Sequence, residues 1–225
     1  MLALLPAWLT DAIDALPGLA ARPWPLFVLL LAINALARPS SITAHDARLY
    51  SLQMLNQAEH GAYAEDVFLR YGSQDQFTVF SHVVGPIAGM LGWRLAFFVL
   101  YLIFNTLFVL ALFRLVRALI DDPLISTLAL FYLVSAPLNY GGCDNFTVHE
   151  PFFTPRTIST TLTLFALERL MRQHLSASLG LLIAASLMHP LLAFGGLLIW
   201  AGYVACTWLP SSAVVGQWPA FCVRV

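Results

Sequence analysis

The chain has 225 residues, 60% of them hydrophobic and 10% charged, with a formal net charge of −1. Soluble domains carry about a quarter charged residues, so this charge content and a mean hydropathy of +0.79 predict a membrane protein. No basic run or RNA-binding signature is present, which excludes a nucleic-acid partner as an expectation. All eleven basic residues are arginine, and the three cysteines, Cys143, Cys206 and Cys222, lack CxxC spacing, so neither a disulfide framework nor a zinc site is expected.

The first twenty residues lack a basic start and carry Asp11 and Asp14, so residues 1–20 read as an interfacial helix rather than a secretory signal. Residues 21–209 form the expected membrane domain. Its first span runs from Trp24 to Ala37. A polar section from Arg38 to Gln76 follows, with five acidic residues (Asp46, Glu59, Glu65, Asp66, Asp75). Within it, Thr43 with Asp46 resembles a capping box, and Leu49, Leu52 and Leu55 recur at helical spacing, which predicts a helix to His60. Ser73 with Gln76 marks a second helix start. The run to Leu91 puts Phe77, Phe80, Val84, Ile87, Ala88 and Leu91 on one face, and Thr78, Ser81, His82, Gly85 and Gly89 on the other. That pattern, broken at Pro86 and closed by Gly92, predicts an amphipathic helix lying in the interface. Residues 39–92 then form one long outer loop.

Further spans are expected at 95–113, 123–138, 155–167, 175–188 and 191–209. Together with the first they give an all-α, polytopic membrane protein of about six transmembrane helices. The second outer loop covers residues 139–156. Arg114, Arg117, Arg169 and Arg172 follow spans, and the positive-inside rule puts them in the cytoplasm with the N-terminus, provided residues 77–91 do not cross. The expected location is a bacterial inner (plasma) membrane. Residues 210–225 read as a tail cut from a longer chain.

Chemistry is expected where ionisable groups gather on the outer face, because such groups are costly at membrane depth. Asp46 is placed to take a proton from an attacking hydroxyl or to hold a metal, or else only to cap its helix. His149 and Glu150 offer mixed nitrogen and oxygen donors suited to a divalent metal such as Mg or Mn, with Asp144 a further donor in the same loop. Thr154-Pro155 is a helix start, which puts Arg156 in a first turn where the dipole disfavours a cation unless an anion is near. A lipid phosphate would fit there. His189, before Pro190, lies at the tip between the last two spans.

An anchor span, a long outer loop opening on "HDARLY", surface helices, a span ending in arginines and a second acidic outer loop resemble the N-terminal membrane half of GT-C-type glycosyltransferases. The resemblance implies transfer of a sugar from a polyprenyl-phosphate donor on the outer face. It implies Asp46 as catalytic base or metal ligand, and Glu150 as a second catalytic acid. Tyr50, Arg156 and His189 would contact substrate, and the partners would be membrane lipid and the lipid-linked sugar. A transporter or flippase subunit and a non-catalytic membrane scaffold are the alternative readings.

Overall fold

A computed structural model of the chain describes residues 15–41, 44–140 and 146–208. Prolines open many of the helices. Pro23 starts α1 (Pro23–Ala37), Pro123 starts α6 (Pro123–Ser135), Pro155 starts α7 (Pro155–Met171) and Pro190 starts α9 (Pro190–Trp208). A proline at the first helical position has no N–H to leave unpaired and has its φ preset. Between them lie α2 (Ala47–Ala58), α3 (Val67–Tyr71), α4 (Phe80–Leu91), α5 (Trp93–Leu119) and α8 (Leu175–Met188). A two-stranded hairpin pairs β1 (Asn139–Tyr140) antiparallel with β2 (Phe146–Thr147). Residues 15–20 are helical, whereas the rest of the expected N-terminal helix and the tail from 209 lie outside the described residues.

The described residues are thus all-α apart from one short hairpin. Two helices are long and apolar enough to cross a membrane, α5 with 27 residues and the Pro190–Thr207 part of α9 with 18. Four shorter apolar helices accompany them, α1, α4, α6 and α8. At 1.5 Å per residue, a helix of about 15 residues reaches only some 22 Å against a hydrocarbon core of about 30 Å. The expected 95–113 span extends through both of its arginines to Leu119, since nothing in the sequence breaks the helix earlier.

The helices alternate in direction, and hydrogen bonds identify the two ends. At one end Arg38, just past α1, donates to the carbonyls of Val134 and Ala136 that finish α6. There also Ser41 N donates to Pro151 O at 2.8 Å, and Val79 N to Leu187 O at 2.9 Å. These bonds tie both polar loops and the end of α8 together. At the other end Arg117 donates to Ala20 O at 2.9 Å and Arg114 to Glu168 at 3.1 Å. Helices α8 and α9 fold back on each other at His189 rather than continuing as one kinked rod, and Trp200 Nε1 donates to Leu175 O at 3.2 Å. Gly196 allows that approach: a Cβ there would meet Leu182 Cδ2 at 2.6 Å and Thr163 Cγ2 at 2.9 Å.

Several local expectations are corrected. Helix α2 begins at Ala47, and its N-cap, Asp46, makes no side-chain cap bond; Thr43 lies outside the described residues. The buried face of α2 is Ala47, Tyr50, Gln53 and Met54, with Leu49 exposed. Ser73 does not cap α4. Its hydroxyl accepts from Gln53 Nε2 and Asp75 N, and α4 starts seven residues on, at Phe80. On α4 the small polar residues Ser81 and Gly85 face inward, while Phe77, ahead of the helix, and Leu91 are exposed. Burying small residues lets the backbones close: a Cβ on Gly85 would sit 2.9 Å from Gln57 Cγ of α2. Gly89, expected to pair with it, faces open space.

Beneath the two loops lies an aromatic core. Phe153 packs against Phe80, Phe97 and Phe104 at centroid distances of 5.7, 5.4 and 5.8 Å. Tyr50 meets the edge of Phe80. This core fixes the second loop between α2, α4 and α5, directly under the polar cluster.

Candidate functional site

Thr154 caps α7 as its sequence predicts, accepting from Thr157 N at 3.4 Å, with Pro155 behind it. The cap sets Arg156 in the first turn, pointing back over the loop. Two carboxylates of the chain hold its guanidinium. Arg156 Nη2 lies 2.6 Å from Glu150 Oε1, and Nε donates to the same oxygen at 2.7 Å. Arg156 Nη1 donates to Asp46 Oδ2 at 2.8 Å, across 110 positions of sequence. The cost of a cation in the first turn is offset by these charge-assisted bonds.

The two carboxylates differ. Glu150 is 5% exposed at its side chain, and its other oxygen accepts from the Thr154 hydroxyl at 2.6 Å. Asp46 is 27% exposed, and its second oxygen sits 2.9 Å from His45 Nδ1. Glu150 therefore anchors Arg156 from behind, and Asp46 is the carboxylate that solvent reaches. His45 holds a left-handed φ of 47°, which turns its ring onto Phe152 (centroids 6.2 Å apart, 18° between planes). Arg156 also lies 4.9 Å above the Phe146 ring and 6.0 Å from the Tyr50 ring. Aromatic faces favour a cation by their quadrupole.

A cavity of about 260 Å³ opens beside this cluster. Asp46, Arg156, Tyr50 and Gln53 line it on one side, and Phe68 and Gln74 on the other. The structure thus brings Asp46, Glu150, Arg156 and Tyr50 together. His189 lies in a neighbouring cavity of about 230 Å³ that also reaches Gln74. Its carbonyl accepts from the Ser159 hydroxyl at 3.2 Å. Phe146 and Gln53 belong to the site without a sequence expectation. Gln53 was legible, since Asp46, Tyr50 and Gln53 stand four and three apart and so share a helix face. Phe146 comes from the hairpin, which carries no helical period to read.

His149 turns away from Glu150. It is 5% exposed, stacked on Phe108 at 4.1 Å, and neither ring nitrogen has a hydrogen-bond partner. Burial, and then the charge of Arg38, push its imidazole down to about 3. It lines an apolar chamber of about 100 Å³ with Arg38 and Leu112. Asp144 lies outside the described residues. Among those described, no three His, Cys, Asp or Glu side chains gather as metal ligands, and Asp46 and Glu150 share a guanidinium that opposes a second cation. Of the donors expected for Mg or Mn, His149 and Glu150 stand in different surroundings, the first against Phe108 and the second on Arg156.

A second ionic cluster, missed by the sequence reading, stands at the far end of α7. Glu168 is fully buried and meets Arg114 at 3.1 Å, Arg169 at 2.8 Å and Arg172 at 2.6 Å. The i, i+4 pair with Arg172 was readable; the contact with Arg114, 54 positions away, was not. No protein-family model, curated protein or solved structure matches this chain.

Proposed function

We propose that the chain is a membrane-embedded transferase of the GT-C type, acting on a polyprenyl-phosphate-linked sugar at the outer face of a bacterial inner membrane. About six helices, most of them short, would traverse or enter the bilayer, with the N-terminus in the cytoplasm. The observation that carries the reading is the Asp46–Arg156–Glu150 cluster, with Asp46 its exposed member, at the wall of a cavity where both polar loops meet.

In this reading Asp46 accepts the proton of an acceptor hydroxyl, and the hydroxyl oxygen forms a bond to the anomeric carbon. The bond from that carbon to the phosphate oxygen breaks, and the phosphate leaves with the electron pair. In this reading the two events are coupled. With His45 neutral, the cluster sums to −1 from Asp46, Glu150 and Arg156. Once Asp46 carries the proton the sum is zero, its hold on Arg156 Nη1 weakens, and the guanidinium is available to the departing phosphate. Glu150 is then a positioning residue, and Tyr50 and Gln74 shape the cavity. His189 borders the adjoining space. No step is routed through a metal.

Asp46→Asn tests this with little change of shape. The full chain, reconstituted in vesicles with radiolabelled polyprenyl-phosphate sugars, is expected to lose transfer by about a hundredfold or more while its helical circular dichroism is unchanged. Retained transfer removes Asp46 from the role. A scaffold would show no transfer with any donor in either form.

A further inference from the structure

The cluster around Glu168 holds more positive charge than it uses. Three guanidiniums face one carboxylate, and that carboxylate is fully buried while Arg114 and Arg172 stay 38% and 52% exposed. Glu168 fixes the arginines from inside without cancelling them, so two positive charges are left over. Asp122, in the α5–α6 connection, turns its Oδ1 to the start of α6, accepting from Leu124 N and Ile125 N, both at 2.8 Å. Asp121 beside it is an exposed carboxylate at the same end.

Arg114 and Arg172 border a cleft of about 280 Å³ between α1 and α5. Its remaining wall is apolar. Trp24 is 74% exposed and meets the edge of Phe27, which in turn meets Phe113 at 6.2 Å. An aromatic strip leading from a pair of arginines into an apolar groove matches one kind of occupant: a phosphate joined to a hydrocarbon chain. Free phosphate would satisfy the arginines and leave the aromatic wall wet. Tryptophan at the level of headgroups, and basic pockets between helices, are how membrane proteins hold anionic lipid.

We propose that this cleft, at the end of the bundle away from Asp46, binds the headgroup phosphate of an anionic phospholipid, with Arg114 and Arg172 on the phosphate and Trp24 and Phe27 along the acyl chain. The site is separate from the transfer chemistry and stands or falls without it.

The test is native mass spectrometry of the full chain in detergent with equal amounts of phosphatidylglycerol and phosphatidylcholine. Retention of phosphatidylglycerol is expected to exceed that of phosphatidylcholine, by about fivefold for each arginine engaged. Arg172→Gln leaves Glu168 two arginines and lowers the preference by about fivefold. Trp24→Ala, which touches no ion pair, lowers retention of both lipids and keeps the preference. Equal retention of the two lipids by the wild type overturns the proposal. So does an unchanged preference in Arg172→Gln, or unchanged retention in Trp24→Ala should Arg172→Gln fail to fold. Displacement of the lipid by millimolar inorganic phosphate shows a free-anion site and also overturns it.

Discussion

Replacing Arg156 with leucine separates the structural from the chemical part of the Asp46–Arg156–Glu150 cluster. The substitution removes one N–H bond to Glu150 at 2.7 Å, a second ion-pair contact to the same oxygen at 2.6 Å, and one N–H bond to Asp46 at 2.8 Å. Asp46, at 27% exposure, turns to water and to His45 at small cost. Glu150 has no such recourse, being 5% exposed with only the Thr154 hydroxyl left to it. Stranding one member of a buried ion pair costs about 3–5 kcal/mol, and nearly all of it here is assigned to Glu150. Adding Glu150→Gln to Arg156→Leu removes the stranded charge, and the double variant is expected to recover most of that loss. What remains is about 1–2 kcal/mol for the missing hydrogen bonds. Asp46→Asn alone is expected to cost about 1 kcal/mol or less, as a partly exposed pair does. Unfolding in a fixed detergent and pH, followed by circular dichroism, reads all four proteins. A loss below about 1 kcal/mol for Arg156→Leu, or a double variant no more stable than the single, refutes the assignment of Glu150 as the buried anchor.

The stacked, unpartnered imidazole of His149 sets an acid limit. Its folded pKa of about 3 lies below the ordinary 6.5, so its contribution is fully present above about pH 6.5 and is lost as pH falls toward 3. His149→Phe keeps the stack on Phe108, and is expected to flatten that part of the acid unfolding profile at little cost near neutral pH; an unchanged profile contradicts it. Orientation is open to thiol chemistry. A cysteine introduced at Ser51 on α2 sits at the site end, while Cys206 is exposed near the far end of α9. With Cys143 and Cys222 replaced by serine, an impermeant reagent on intact cells is expected to label position 51 and not Cys206. Labelling of Cys206 alone inverts the proposed orientation.

The sequence carried the helix order well because its punctuation is local. Thr154-Pro155 needs only its own backbone to begin α7, and His189-Pro190 only its own to end α8. The run expected to be helical at 77–91 is likewise a helix, over Phe80–Leu91. Which face each helix buries was harder to read. Helices that are apolar on every side give no periodic signal, and on α2 the buried side carries Tyr50 and Gln53 while a leucine stays outside. The choice was made by Gly85 and the aromatic core, and those contacts are remote in sequence. The same holds at the site. Arg156 could be read as a cation in need of an anion, yet the anions were Asp46 and Glu150 rather than a ligand. His149, beside Glu150 in sequence, ended in a different chamber, against Phe108 of α5.

The bond between Asp46 and Arg156 also dictates a timetable. A ribosome adding roughly 5–20 residues per second needs on the order of 5–20 s to travel from the aspartate to the arginine. During that interval α2 to α6 are made, Asp46 lacks this guanidinium, and the stitch from Ser41 to Pro151 waits for the second loop. The pocket beside Asp46 is therefore a late assembly, completed only when α7 brings Arg156. A stalled or truncated chain ending before α7 would keep α2 against α4 through Tyr50 and Phe80, but would leave Asp46 without Arg156.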